Sequence, residues 1–457
     1  MLVSFEIENW GPFSNVETVS FIAGRERQHR QTLSSVPRYK MSILPIVSFF
    51  GEAGTGKTAL IEALSFLRAV GVGDSLSQST TFDFFRMTYG RYANDPSRTI
   101  SIAAMVLVGD DLLEYRIHLS HRGLERELIT QVGVTSDKVL VEATPSSLST
   151  DGSKSQRRSL SPYLGSYSFV ADGPILAYLG KRATEVASDL ASKKGRKREV
   201  DEKEAMNFDY LMVRRLYDWF SESVEIFGLG DSNSGSISIR DFSTQMLSDL
   251  SRALNRYEMD IDLISIDETV FDKELLVPYS SVLKDGSDQV ELLAGLLGHS
   301  SGWLVSRGET WVLRRLIARS ARDGRSRALS LYSPGEQRAV ALVASVFFSH
   351  KDNISRLIAY DDADLRIFPS LMRKILLDFI EAAPRDPSIQ LMVTLGSPLL
   401  LDQDIFRRDE MVIVEASGGQ HNLASISDFS GIRYDRDIMR LYLDGLLSSA
   451  PTEESGG

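Results

Sequence analysis

The chain has 457 residues, 43% hydrophobic and 25% charged, a composition that excludes a disordered or fibrous protein and leaves room for two or three cores. Lys and Arg number 51 against 62 Asp and Glu, a net charge of −11, so the chain is no general polyanion binder and any nucleic-acid contact needs a local basic patch. It has no cysteine, which excludes disulfides, thiolate metal sites and cysteine nucleophiles.

The start, Met1-Leu2-Val3-Ser4-Phe5-Glu6-Ile7, lacks the basic residues and long apolar run of a signal peptide. The apolar stretch 339–348 is too short to span a bilayer. A cytoplasmic protein without membrane contact is expected. Leu2, Phe5 and Ile7 predict a strand, a turn follows at Asn9-Trp10-Gly11-Pro12, and 16–22 is β-rich. A polar, charged stretch at 24–30 leads to a short apolar strand at 46–50.

Gly51-Glu52-Ala53-Gly54-Thr55-Gly56-Lys57-Thr58 follows that strand and fits the phosphate-binding loop G-x-x-x-x-G-K-[ST]. Residues 59–67 after it predict a helix with an apolar face. Strand, glycine loop and helix are what the chemistry needs. Glycines let backbone N–H groups curl around phosphate oxygens, and the helix N-terminus adds a positive dipole end. Lys57 is expected at the β/γ-phosphates and the Thr58 hydroxyl on Mg²⁺, so ATP and Mg²⁺ are the expected cofactors.

Runs at 99–108, 112–119 and 124–129, split by close turns, predict an antiparallel meander. Residues 146–161 are Ser-rich and basic and read as a mobile loop. Lys193, Lys194, Arg196, Lys197 and Arg198 form a basic cluster, but Glu199, Asp201, Glu202 and Glu204 follow at once. Those acids cancel most of its field, which favours an exposed mixed-charge segment over a nucleic-acid patch. Residues 208–227 predict an amphipathic helix through Leu211, Val213, Leu216, Trp219, Phe220 and Val224. Residues 228–235 read as a loop, and 242–254 and 290–297 as helices. There is no internal repeat and no long heptad run.

Two later stretches belong with the phosphate loop. Arg356-Leu357-Ile358-Ala359-Tyr360-Asp361-Asp362 is an apolar strand ending in acids. There Asp361 would hold Mg²⁺, and Asp362 would orient or deprotonate the attacking water. Ser333-Pro334-Gly335-Glu336-Gln337, ahead of an apolar helix, is similar to the signature loop of ABC-type ATPases. It also reads as a plain Ser-Pro helix start with Glu336 in the first turn. The order of loop, signature and acidic strand favours the first reading.

With these residues in place, the chain resembles the RecF/SMC-like and overcoming-lysogenization-defect-like ABC ATPases, most closely the AbiL-like stand-alone ATPases of bacterial anti-phage systems. Residues 5–13 look like their opening strand and turn, 42–45 like the lead into the loop, 361–369 like the acidic strand and D-loop, and 393–400 like the switch strand. Residues 426–433 and 442–445 are similar to the C-terminal segment of the AbiL-like group. The resemblance covers both ends and only loosely 130–325.

It implies an α/β fold: an ABC-ATPase head with a mixed central sheet, an antiparallel β subdomain and an inserted, mainly helical region. The expected divisions are 1–130 (N-terminal lobe with phosphate loop and meander), 131–325 (helical insertion with mobile loops) and 326–457 (C-terminal lobe). It further implies a head-to-tail homodimer in which Ser333, Gly335 and Glu336 of one subunit complete the ATP site of another. A higher homo-oligomer built from such pairs stays open. The resemblance implies a sensor or scaffold that controls a separate effector, a nuclease or toxin. A DNA-binding ATPase of repair or chromosome maintenance is the alternative, and a transporter subunit fits less well. The pattern departs from the family at four places: Asp362 stands where Glu is usual, Gly396 where the switch histidine is, Phe368 where a His precedes the D-loop Pro, and no Q-loop glutamine stands near Phe84-Phe85-Arg86. Each lost group points to slow hydrolysis, since general-base assistance is worth roughly 10²–10⁴-fold.

Overall fold

The computed structural model describes residues 1–73, 81–150, 160, 164, 167–182, 208–228, 243–272, 289–291, 303–307, 310–348, 355–383, 389–429, 432 and 436–447. They divide into two units, Met1–Leu229 with Lys351–Ala363 and Ile380–Gly457, and Gly230–His350 with Asp364–Phe379.

The first unit holds two large sheets and a short hairpin of β3 (Ser34–Val36) and β4 (Met41–Ile43) among its described residues. Strands β1 (Leu2–Glu8), β2 (Glu17–Ser20), β6 (Ile100–Val108), β7 (Asp111–Ser120), β8 (Gly123–Val132), β9 (Lys138–Thr144) and β10 (Ser147–Thr150) form a seven-stranded antiparallel sheet ordered β10-β9-β8-β7-β6-β1-β2. The alternation of buried and half-buried residues along β1 and β7 is that of strands with one covered face. The predicted meander is β6–β8. Its extension β10 claims 147–150 from the expected loop by pairing with β9. Residues 151–159 of that loop lie outside the described residues, as does the basic cluster 193–198.

The second sheet is ordered β11-β17-β18-β5-β19-β20, from β5 (Ile46–Phe50), β11 (Val224–Phe227), β17 (Arg356–Tyr360), β18 (Ile389–Leu395), β19 (Met411–Ser417) and β20 (Gln420–Ser425). All its pairs are parallel except the β19–β20 hairpin. β5, β17 and β18 are buried at every position, which is why they are mostly apolar, with Ser48, Arg356, Gln390 and Thr394 as the polar exceptions. Helix α1 (Lys57–Val72) buries Leu60, Ile61, Leu64 and Leu67 in a core shared by both sheets. Gln390 on β18 ties this sheet to β1 of the other, accepting the Leu2 N–H at 2.6 Å and donating to the Leu2 carbonyl at 2.9 Å.

Two buried carboxyls stand out in this unit. Glu127 on β8 accepts the N–H groups of Ile175 and Leu176 and the Tyr115 hydroxyl; burial pushes it up to about 7. Glu410 accepts only the Arg407 N–H, at 2.8 Å, while its Oε1 has no hydrogen bond; burial pushes it up to about 8.

The helix expected over 208–227 is cut short. Phe208–Asp218 is α-helical and Trp219–Ser223 a π turn, but Val224–Phe227 leaves the helix as β11 and pairs in parallel with β17. The open edge of a parallel sheet outbids helical periodicity for a β-branched, aromatic tetrapeptide.

In the second unit, β12 (Leu263–Asp272), β13 (Gln289–Glu291), β14 (Trp303–Arg307) and β15 (Thr310–Arg319) form an antiparallel sheet ordered β12-β15-β14-β13, with β16 (Ser326–Ala328) on β15. The helix expected at 242–254 is Thr244–Arg256, capped by Ser243. The one expected at 290–297 begins as β13, and 292–297 lie outside the described residues. The mainly helical insertion is not confirmed: among its described residues, strands are as prominent as helices. Arg–carboxylate pairs across β12 and β15 (Arg315–Asp267, Arg314–Glu268) and from β15 to the residue before β12 (Arg319–Asp262) gave these strands a charge density that masked their period-2 pattern.

Candidate functional site

The phosphate loop spans the end of β5 and the start of α1, as its glycines demand. Gly54 and Gly56 take φ of +84° and +108°. Gly51 sits against β19: a Cβ there would lie 2.4 Å from the Val414 carbonyl oxygen. Thr55 closes the loop's inner turn, its hydroxyl donating to the Glu52 carbonyl at 3.0 Å. Ala53 is exposed. Lys57 lies over the loop, its ammonium donating to the Gly51 and Glu52 carbonyls at 2.7 and 2.9 Å.

The turn read at 9–12 supports the start of α1 from below. Trp10 is fully buried, stacks on Tyr92 with ring centroids 4.2 Å apart, and donates its indole N–H to the Ala59 carbonyl at 2.9 Å. A Cβ at Gly56 would meet Pro12 at 2.6 Å and the Phe13 ring at 3.0 Å.

Asp361 follows β17 and is 4% exposed. Its Oδ2 accepts the Thr58 hydroxyl at 2.9 Å, joining residues 303 apart in sequence, and its Oδ1 accepts the Thr394 hydroxyl at 2.7 Å. Thr394 also accepts the Asp362 N–H at 2.6 Å, and its carbonyl accepts the Ala363 N–H. Asp362 thus turns out of the strand at φ +47°, in the left-handed region. Gly228, at φ +89°, lets the chain after β11 pass the same point, where a Cβ would lie 2.3 Å from the Asp361 carbonyl oxygen. Thr58 and Asp361, each expected on Mg²⁺, are thus hydrogen-bonded to one another.

Thr58 and Asp361 offer hard oxygen donors suited to Mg²⁺. No cluster of three or more His, Asp or Glu stands ready to bind a metal among the described residues.

Ser333, Gly335 and Glu336 belong to the second unit. Ser333 caps the Pro334–Phe347 helix in a full capping box: its Oγ accepts the Glu336 N–H, and the Ser333 hydroxyl and N–H donate to the Glu336 carboxylate at 2.6 and 3.0 Å. Gly335 is pressed on the segment after the acidic strand, where a Cβ would lie 2.2 Å from the Arg366 carbonyl oxygen. In the same unit Leu331, Leu365 and Phe368 are 67%, 47% and 75% exposed.

Sequence reasoning missed three residues. Thr394 leaves a trace, a polar residue in the mostly apolar strand β18, which also carries Gln390. Gly228 is marked only by following a strand. His421, on β20, brings its Nδ1 within 2.7 Å of the Thr55 carbonyl, and nothing local in the sequence marks it.

Scans against protein-family models and against curated proteins give no match. Among solved structures the chain is similar to the SMC head domain from Thermotoga maritima, with 11% sequence identity and a TM-score of 0.37, over 93% of this chain and 98% of that one. No helix among the described residues is long and apolar enough to cross a membrane.

Proposed function

We propose that the chain is an ABC-type ATPase that binds ATP with Mg²⁺, hydrolyses it slowly and uses the bound state as a switch. The observation that carries this reading is the Thr58–Asp361 hydrogen bond at the mouth of a phosphate loop. It joins the two oxygen donors that a P-loop ATPase uses on its metal. Thr58 and Asp361 would hold Mg²⁺, which would offset the charge of the phosphates. The loop N–H groups and Lys57 hold the phosphates, Thr58 and Asp361 hold the metal, and Asp362 orients the attacking water. Asp362 is one methylene shorter than Glu, and Gly396 offers no imidazole, which supports holding ATP over rapid turnover.

In this reading Ser333, the Gly335 backbone and the Glu336 turn of a second copy close the site, making an ATP-sandwiched homodimer. The exposed Leu331, Leu365 and Phe368 beside that helix start support a surface that another copy covers. The finer role is a sensor or scaffold in anti-phage defence that licenses a separate nuclease or toxin. Its support is the resemblance of 5–13, 361–369, 393–400 and 426–445; of the last, 430–431 and 433–435 lie outside the described residues.

Lys57→Ala tests the site: ATP binding by calorimetry is expected to vanish, and unchanged affinity would sink the assignment. Ser333→Arg tests the sandwich, since ATP-driven association in light scattering is expected to be lost while the ATP-free chain stays folded. ATP-driven association at wild-type strength would remove the signature role. For defence, phage plating on cells carrying the chain and its effector is expected to lose protection with Lys57→Ala; full protection would refute a nucleotide-gated role.

A further inference from the structure

The phosphate loop is supported from outside at three points. Gly51 rests on the β19 backbone at Val414, Gly56 rests on Pro12 and Phe13, and between them the Thr55 carbonyl meets His421. A carbonyl only accepts, so the His421 Nδ1 carries the hydrogen and donates it. The ring is itself held. Phe13 lies edge-on to it, with centroids 6.2 Å apart and planes at 78°. The strand under it is anchored, because β19 pairs in parallel with β5, His421 faces Ala416 across the hairpin, and the Leu423 N–H donates to Glu17 at 2.9 Å.

The peptide between Thr55 and Gly56 is planar and trans, so its N–H points away from its C=O. A donor fixed on the Thr55 oxygen therefore aims the Gly56 N–H to the opposite side, away from the hairpin. In a phosphate loop the N–H groups on that side are the ones that meet phosphate. We infer that His421 is a positioning residue for the phosphate loop, holding the Thr55–Gly56 peptide so that the Gly56 N–H is set before nucleotide arrives. The inference rests on the ATP-binding reading for its purpose, but not for the contact.

Two substitutions separate the hydrogen bond from the bulk of the ring. His421→Asn keeps an N–H donor close to the Nδ1 position, whereas His421→Leu keeps volume and removes the donor. Hydrogen exchange of the 51–57 segment, measured on the full chain without nucleotide, reads the brace directly. Faster exchange is expected in His421→Leu and near wild-type exchange in His421→Asn. A titration with a fluorescent ATP analogue reads its purpose. His421→Leu is expected to weaken binding roughly 3- to 10-fold, the worth of one ordinary hydrogen bond, with kcat at saturating ATP within about twofold of wild type. His421→Asn is expected to recover most of the affinity.

Wild-type exchange and wild-type affinity in His421→Leu would overturn the inference, as would equal defects in the Asn and Leu variants. Loss of ATP binding with Lys57→Ala alongside those results would show that the ATP reading stands while this one falls. Faster exchange in His421→Leu, in a wild-type chain that binds no ATP, would overturn the nucleotide purpose and keep the brace.

Discussion

Thr394→Val removes one oxygen atom from the centre of the site and almost nothing else. Thr394 is fully buried on β18, and valine matches its shape, so the loss is polar. Two bonds go: the one donated to Asp361 Oδ1 at 2.7 Å and the one accepted from the Asp362 N–H at 2.6 Å. A bond to a carboxylate contributes about 1.5–3 kcal/mol net and a neutral one about 1, so destabilisation of roughly 2 to 4 kcal/mol is expected. Asp361 keeps its Thr58 bond but loses the group that fixes its other oxygen. Outer partners of this kind tune metal affinity by about 10- to 100-fold, so half-maximal ATP binding should need that much more Mg²⁺. Urea unfolding with unchanged m-value and a Mg²⁺ titration at fixed ATP measure both effects, with Thr394→Ser restoring each. A Thr394→Val protein with the wild-type midpoint and wild-type Mg²⁺ requirement would refute the argument.

Other outcomes follow from single contacts. Gly228→Ala sets a Cβ 2.3 Å from the Asp361 carbonyl oxygen at φ +89°, so a loss of about 1–3 kcal/mol in urea unfolding is expected; a neutral change would mean the close approach is not rigid. Glu410 is raised from 4.5 to about 8 by burial, so the folded state binds the extra proton. Its stabilising effect is complete below pH about 4.5 and is lost as pH rises through about 8, by up to about 5 kcal/mol. Glu410→Gln keeps the acceptor for Arg407 and is expected to flatten the stability profile between those limits; an unchanged profile counts against a buried neutral carboxyl. Phe368→Asp, at a side chain 75% exposed, is expected to leave unfolding within about 0.5 kcal/mol and to weaken ATP-driven self-association; strong destabilisation or intact association would contradict the exposed-surface reading.

The local chain determined what local chemistry can fix. The spacing of Gly51, Gly54, Gly56, Lys57 and Thr58 encodes a loop with two positive-φ glycines and a following helix, because only that backbone accommodates them. Ser333, Pro334 and Glu336 likewise encode their own capped helix start within four residues. Buried parallel strands declared themselves as mostly apolar runs at 46–50 and 356–360. Only the tertiary structure decided which distant groups meet. It turned Val224–Phe227 from helix into strand by offering a sheet edge, and built an antiparallel sheet within the region that the resemblance implied to be mainly helical. It laid β18 beside β17, so that Thr394 reaches Asp361, and folded the β19–β20 hairpin so that His421 reaches Thr55. Those contacts join residues 33 and 366 positions apart, where neither propensity nor spacing carries information and strand order alone sets the distance.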